Sequence, residues 1–127
     1  MVEQVESKTA DEEIISHYNK TRDFPAKNGT SRLGIHLRFG TISIRQLAQK
    51  AKELNATYLN ELIWREFYMM ILAYNPQVVD KAFKPAYDQI PWRNNEEEYA
   101  AWCEGNTGYP IVDAGMRELN ATGYMHN

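Results

Sequence analysis

Glu61, Trp64, Arg65 and Tyr68 are spaced so that a helix turning about 100° per residue gathers them on one face. A carboxylate, two aromatic rings and a guanidinium together suit a flat ligand that carries phosphate. Trp64 can stack a planar ring, Glu61 can accept hydrogen bonds and Arg65 can hold a phosphate. The plainer reading is a second packed side, since a helix in the middle of a bundle is buried on two faces. Upstream, Gly29-Thr30-Ser31-Arg32-Leu33-Gly34 offers two hydroxyls, backbone amides freed by glycine and a guanidinium, the parts of a diphosphate cradle. It lacks the lysine-bearing spacing of a P-loop, and no strand precedes it as a dinucleotide fold requires. Loops of this composition are otherwise ordinary turns.

The remaining polar groups carry less. Asp113 and Arg117 stand four apart, the spacing of a helix-surface ion pair. His126 and Asn127 could bond a ligand, or be solvated chain ends. By composition, Trp92 and Trp102 read as core aromatics. One cysteine, Cys103, and three histidines give no internal disulfide, no zinc set and no Ser-His-Asp or Cys-His arrangement. No metal is expected, and a reducing compartment fits.

Helices must position these groups. Asp11 to Thr21 reads as a short helix capped by Asp11, with Ile14, Ile15 and Tyr18 at helical spacing, stopped by Asp23-Phe24-Pro25. Pro25 to Gly40 has the punctuation of an irregular loop, with a turn at Asn28-Gly29. Thr41 or Ser43 can cap a helix through Leu54 with Ile44, Leu47, Ala48 and Ala51 on one face. Thr57 to Tyr74 gives the clearest helical signal: Leu59, Leu62, Ile63, Phe67, Met70, Ile71 and Tyr74 form a stripe expected to face the core. Pro76 to Asn95 predicts short helical turns and loops. Asn95 can cap a helix over Glu96 to Glu104 ended by Gly105, and Pro110 opens a last helix closed by Gly123. No alternation of strand length appears, so the expected fold is all-α, an irregular helical bundle without internal repeats.

The chain of 127 residues has the length of one ordinary domain, and its formal net charge of −3 conceals a partition. Residues 1–17 are acidic, residues 18–54 hold eight Lys/Arg against two acids, and residues 55–127 are acidic again. The basic middle, with Lys20, Arg22, Lys27, Arg32, Arg38 and Arg45 spread among Gly, Ser and Thr, suits phosphates; a solvated charged surface is the plainer account. No apolar run reaches the ~20 residues of a membrane span, and the acidic opening Met1 to Glu13 lacks the layout of a secretory signal, so no membrane partner and a cytoplasmic location are expected.

Taken together, five motifs resemble the DNA photolyase/cryptochrome flavoprotein family. They are Tyr18 with Arg22-Asp23-Phe24-Pro25; Gly29-Thr30-Ser31-Arg32-Leu33; Asn60-Glu61-Leu62-Ile63-Trp64-Arg65-Glu66-Phe67-Tyr68; Thr107-Gly108-Tyr109-Pro110-Ile111-Val112-Asp113-Ala114; and Thr122-Gly123-Tyr124-Met125-His126-Asn127. The resemblance covers residues 18–127 and matches the first half of that family's helical FAD-binding domain. It implies FAD contacts at Tyr18, Thr30, Ser31, Arg32, Leu33, Gly34 and Tyr58, the loop holding the cofactor's diphosphate. Relatives often have Ser at the Gly34 position, which removes one hydroxyl here. It implies a DNA side comprising Arg22, Glu61, Trp64, Arg65, Tyr68 and Asn127, with Glu61 bonding a damaged pyrimidine and Trp64 packing against a flipped-out dimer. Trp92 matches the surface end of a tryptophan chain for electron transfer to the flavin.

Glu61 with Trp64 looks more like the repair enzymes for cyclobutane pyrimidine dimers than like the cryptochromes. The resemblance thus implies UV-damaged DNA as partner and FAD as cofactor, with light-excited reduced FAD donating the electron that splits the dimer. The alternatives are a cryptochrome-like photoreceptor and a helical interaction module without cofactor. The family's α/β antenna domain with its chromophore, and the second half of its flavin domain, have no counterpart in these residues. The chain is therefore expected to bind FAD weakly or not at all alone, to lack repair activity by itself, and to be open to self-association through its apolar faces.

Overall fold

The computed structural model describes residues 9–127. The first eight residues of the acidic opening lie outside the described residues. Among the described residues seven α-helices occur in the order α1 (Glu12–Ser16), α2 (Tyr18–Thr21), α3 (Gly34–Arg38), α4 (Ile44–Leu54), α5 (Ala56–Tyr74), α6 (Glu96–Glu104) and α7 (Pro110–Thr122). Single 3-10 turns at Pro76–Val79 and Pro85–Gln89 follow the prolines between α5 and α6, and the described residues contain no strand. The all-α expectation holds. Among the described residues no helix is long and apolar enough to cross a membrane, and no group of three or more His, Cys, Asp or Glu is arranged to hold a metal.

The chain divides into two compact units, Met1–Lys81 and Ala82–Asn127. In the first, Ala10, Ile15, Leu33, Leu47, Ala51, Tyr58 and Leu62 form the core. Ser43 begins α4 by accepting from Gln46 N–H at 3.3 Å, and the apolar face of α4 meets α5. Asn55 joins the two helices. Its Oδ1 accepts from the N–H groups of Thr57 and Tyr58 at 3.0 and 3.2 Å, capping α5, while its Nδ2 donates to Ser16 O and Asn19 Oδ1 at 3.1 and 3.0 Å. One side chain thus satisfies orphan amides and ties the start of α5 to α1 and α2.

In the first unit three expectations change. The helix foreseen over 11–21 breaks at His17 (φ −99°, ψ 5°), where Ser16 Oγ donates to Glu13 O at 3.0 Å and His17 Nδ1 lies 3.1 Å from the same carbonyl. Local side chains there compete with the backbone ladder. The loop foreseen over 25–40 contains α3, closed where Gly40 adopts φ 63° and Thr41 N–H returns to His36 O at 3.0 Å, a left-handed turn that suits glycine. The core stripe of α5 is buried only at Leu62, whereas Ile63, Phe67, Met70 and Tyr74 are exposed. The early turns of α5 carry its packing on α4.

In the second unit, Asn95 caps α6 by accepting from Glu98 N–H at 3.0 Å, and Gly105 and Gly123 end α6 and α7 as expected. Trp92 is 71% exposed and Trp102 is exposed beside Tyr99, so neither is a core residue of the described structure. Nor is Asp113 half of a surface ion pair. It is 8% exposed and accepts from Thr107 Oγ1 at 2.6 Å, Thr107 N–H at 2.7 Å and Gly108 N–H at 3.0 Å, while Arg117 donates to Asn106 Oδ1.

These donors, the Thr107 hydroxyl foremost, hold the Asp113 carboxyl below the ordinary carboxylate range. A depressed folded pKa gives stability that is present above the unfolded value of 3.8 and is lost as pH falls through the folded value. In Asp113→Asn, the Thr107 and Gly108 amides are expected to exchange faster at neutral pH, and the gap from wild type to narrow as acid protonates Asp113. A gap constant from neutral pH down through that range would contradict this.

Candidate functional site

The site grows from the face of α5 that carries Tyr58, Glu61 and Arg65. Tyr58, near the first turn and 5% exposed, donates from Oη to Ser31 Oγ at 2.7 Å. Its ring meets that of Tyr18 edge to face, 5.1 Å between centroids. One turn on, the Glu61 carboxylate pairs with the Arg22 guanidinium in a half-buried setting. Arg22 also lies 5.3 Å over the Tyr18 ring and 3.4 Å from Asp23. Another turn on, Arg65 Nη2 donates to Leu37 O at 3.2 Å.

Electrostatics follow from this packing. Burial pushes the Tyr18 phenol up, the Arg22 guanidinium opposing it. Burial likewise raises Tyr58, the bond with Ser31 acting against it. Both phenols therefore stay neutral donors at neutral pH. The bond to Glu61 raises Arg22 further above its ordinary value.

The loop that Tyr58 touches is pressed onto α2 at its start. Gly29 N–H bonds back to Lys27 O at 2.8 Å, a tight turn at Asn28. A Cβ on Gly29 would lie 2.6 Å from Thr21 Cβ, so only glycine allows this approach. Thr30 and Ser31 are half-buried, Arg32 is exposed at φ 51°, and Leu33 is 2% exposed. A Cβ on Gly34 would meet nothing within 4 Å, so a serine would fit there.

Beside the Glu61–Arg22 pair the outer surface of α5 is aromatic. Trp64, 53% exposed, stacks on Tyr68 at 5.9 Å and 28° and meets Phe67 edge to face at 5.4 Å. The helical face read from the sequence is therefore divided: Glu61 and Arg65 are engaged with the preceding segment, and Trp64 and Tyr68 stand outward. Periodicity places Phe67 in the core stripe and carries no sign of its place in this cluster. Asn55 also escaped the sequence reading, although Asn directly before a long helix is a cap signal.

The structure thus brings together Tyr18, Arg22, Ser31, Tyr58 and Glu61. Trp92 and Asn127 belong to the second unit, where both are exposed, and His126 Nδ1 lies 3.0 Å from Asn127 O.

Residues 58–127 match the family described as the FAD binding domain of DNA photolyase. The chain is 44% identical over 125 residues to the deoxyribodipyrimidine photo-lyase of Halobacterium salinarum, covering 89% of this chain and 26% of that protein. It is 47% identical over 120 residues to the enzyme of that name from Escherichia coli, covering 87% and 25%. The crystal structure of a bacterial class III photolyase from Agrobacterium tumefaciens aligns with a TM-score of 0.81 at 38% identity, covering 90% of this chain and 25% of that one. The chain spans about a quarter of the length of these relatives.

Proposed function

The chain belongs to the DNA photolyase family through its FAD-binding domain, and on that footing we propose that it forms part of a deoxyribodipyrimidine photo-lyase, an FAD-dependent, light-driven enzyme for cyclobutane pyrimidine dimers in DNA. The observation that carries this reading is the carboxylate of Glu61, held by Arg22, next to an outward aromatic shelf of Trp64 and Tyr68 on the same helix. A base taken out of its stack needs such a surface: rings for its face and an acceptor for its edge.

The residues present fit a flavin dinucleotide. Ser31 is fixed by Tyr58, Leu33 anchors the loop in the core, and the loop is open at Gly34. In this reading Tyr18, Thr30, Ser31, Arg32, Leu33, Gly34 and Tyr58 hold the cofactor, the loop taking its diphosphate. Flavin held there would supply the light-driven electron that opens the cyclobutane ring and would take it back once the ring has split. Trp92 is exposed, as a residue that passes electrons from solution toward a flavin would have to be. The protein's own work is to orient and to exclude water. Glu61 accepts from the pyrimidine edge, Trp64 and Tyr68 stack against the dimer and Arg22 completes the DNA side of the first unit, whereas the Arg65 guanidinium is turned to Leu37 O; for Asn127 the DNA role rests on the resemblance alone.

The test is a titration of the FAD-loaded photo-lyase that the chain forms part of in this reading, against a duplex bearing one thymine cyclobutane dimer and against the undamaged duplex. Tighter binding of the damaged duplex is the expected result. Equal affinities would remove the repair reading, and flavin uptake without preference for damage would favour a cryptochrome-like photoreceptor.

A further inference from the structure

Leu37 lies in the last turn of α3, where carbonyls run out of intrahelical partners. Thr41 N–H returns to His36 O around Gly40, and the next carbonyl, Leu37 O, receives Arg65 Nη2 at 3.2 Å. A guanidinium at this end of a helix is favoured by the macrodipole as well as by the bond. α3 has five residues, too few to hold a helix by themselves, and it begins at the last residue of the Thr30–Gly34 loop. α5 has 19 residues, is capped by Asn55 and is packed on α4. It therefore grips this segment in two places, Tyr58 at Ser31 in the loop and Arg65 at Leu37 behind it.

We propose that Arg65 is a positioning residue that caps α3 and thereby sets the backbone of the Thr30–Gly34 loop, acting on loop order and flavin affinity and not through a DNA phosphate. The flavin part rests on the cradle reading above; the grip on α3 does not. Arg65→Met keeps the aliphatic stem and removes the donors, Arg65→Lys keeps a charged donor, and Lys52→Met on exposed α4 surface removes the same charge elsewhere.

Amide exchange in the free chain decides the grip. At Leu37, Phe39 and Thr41 it is expected to quicken about tenfold in Arg65→Met, stay unchanged in Lys52→Met and return toward wild type in Arg65→Lys. Unchanged exchange at these amides in Arg65→Met overturns the proposal. If Arg65→Met quickens exchange throughout α4 and α5, the lysine variant decides, and failure to restore the three amides overturns it. The slope of DNA affinity against salt is expected to match wild type in Arg65→Met; a loss of about one unit would mark a phosphate contact and also overturn it. FAD retention reads the cradle separately, in the photo-lyase that the chain forms part of in the reading above: Arg65→Met is expected to retain less FAD than wild type, and equal retention removes the link to the cradle, while amide exchange in the free chain still decides Arg65's grip on α3.

Discussion

Trp64→Ala is expected to weaken binding of dimer-bearing DNA by about 1–3 kcal/mol, the value of one stacked base, or roughly 5- to 150-fold. Binding of undamaged duplex is expected to change little. The ring is half accessible and is held upright by Tyr68 and Phe67, so truncation removes a stacking face without opening the core. The chain should keep its unfolding midpoint. Trp64→Phe retains a smaller face and is expected to fall between. The measurement is the ratio of affinities for damaged and undamaged duplex. A ratio identical in wild type and Trp64→Ala would mean that the shelf does not receive the lesion, and would leave Glu61 without its partner in recognition.

Leu33→Ala is expected to cost about 2–5 kcal/mol, because it removes a buried side chain from a core that can only partly close over the gap. Leu33 is 2% exposed and belongs to the cluster with Ile15, Leu47, Ala51, Tyr58 and Leu62. Its second effect is local. Arg32, one residue before, is held at φ 51°, a conformation that costs a non-glycine residue on the order of 1–2 kcal/mol and persists only where the surroundings impose it. Releasing Leu33 lets that backbone relax, so the loop loses its shape together with its anchor. Urea unfolding of the first unit should show a lower midpoint at unchanged slope, and any flavin affinity should fall more than in Leu33→Met, which conserves volume and costs less than about 1.5 kcal/mol. Equal midpoints for the alanine and methionine variants would contradict the anchoring role.

Much of this protein's helical structure is local in origin. Helical periodicity and caps are properties of a dozen neighbouring residues, so α4, α6 and α7 fall close to where Ser43, Asn95, Pro110, Gly105 and Gly123 place them. The same local geometry puts Glu61, Trp64, Arg65 and Tyr68 on one side of α5. It also failed locally, at His17 and in α3, where side-chain bonds and a five-residue helix lie below the reach of a periodicity argument.

Pairings between distant residues are a different matter. Glu61 with Arg22, Tyr58 with Ser31, and Arg65 with Leu37 join residues 39, 27 and 28 apart, and no local window contains both partners. They exist because α5 packs on α4 through its early turns, which aims one side of the helix at the segment from Arg22 to Leu37 and leaves Ile63, Phe67 and Tyr74 outward. Residue types along the chain thus state which chemistry is available, a carboxylate, rings, hydroxyls and guanidinium groups at helical spacing. Packing assigns the work: Glu61 and Arg65 are tied to earlier segments, Trp64 is left accessible, and much of the apolar stripe that periodicity directs inward, Ile63, Phe67, Met70 and Tyr74, stays in contact with solvent.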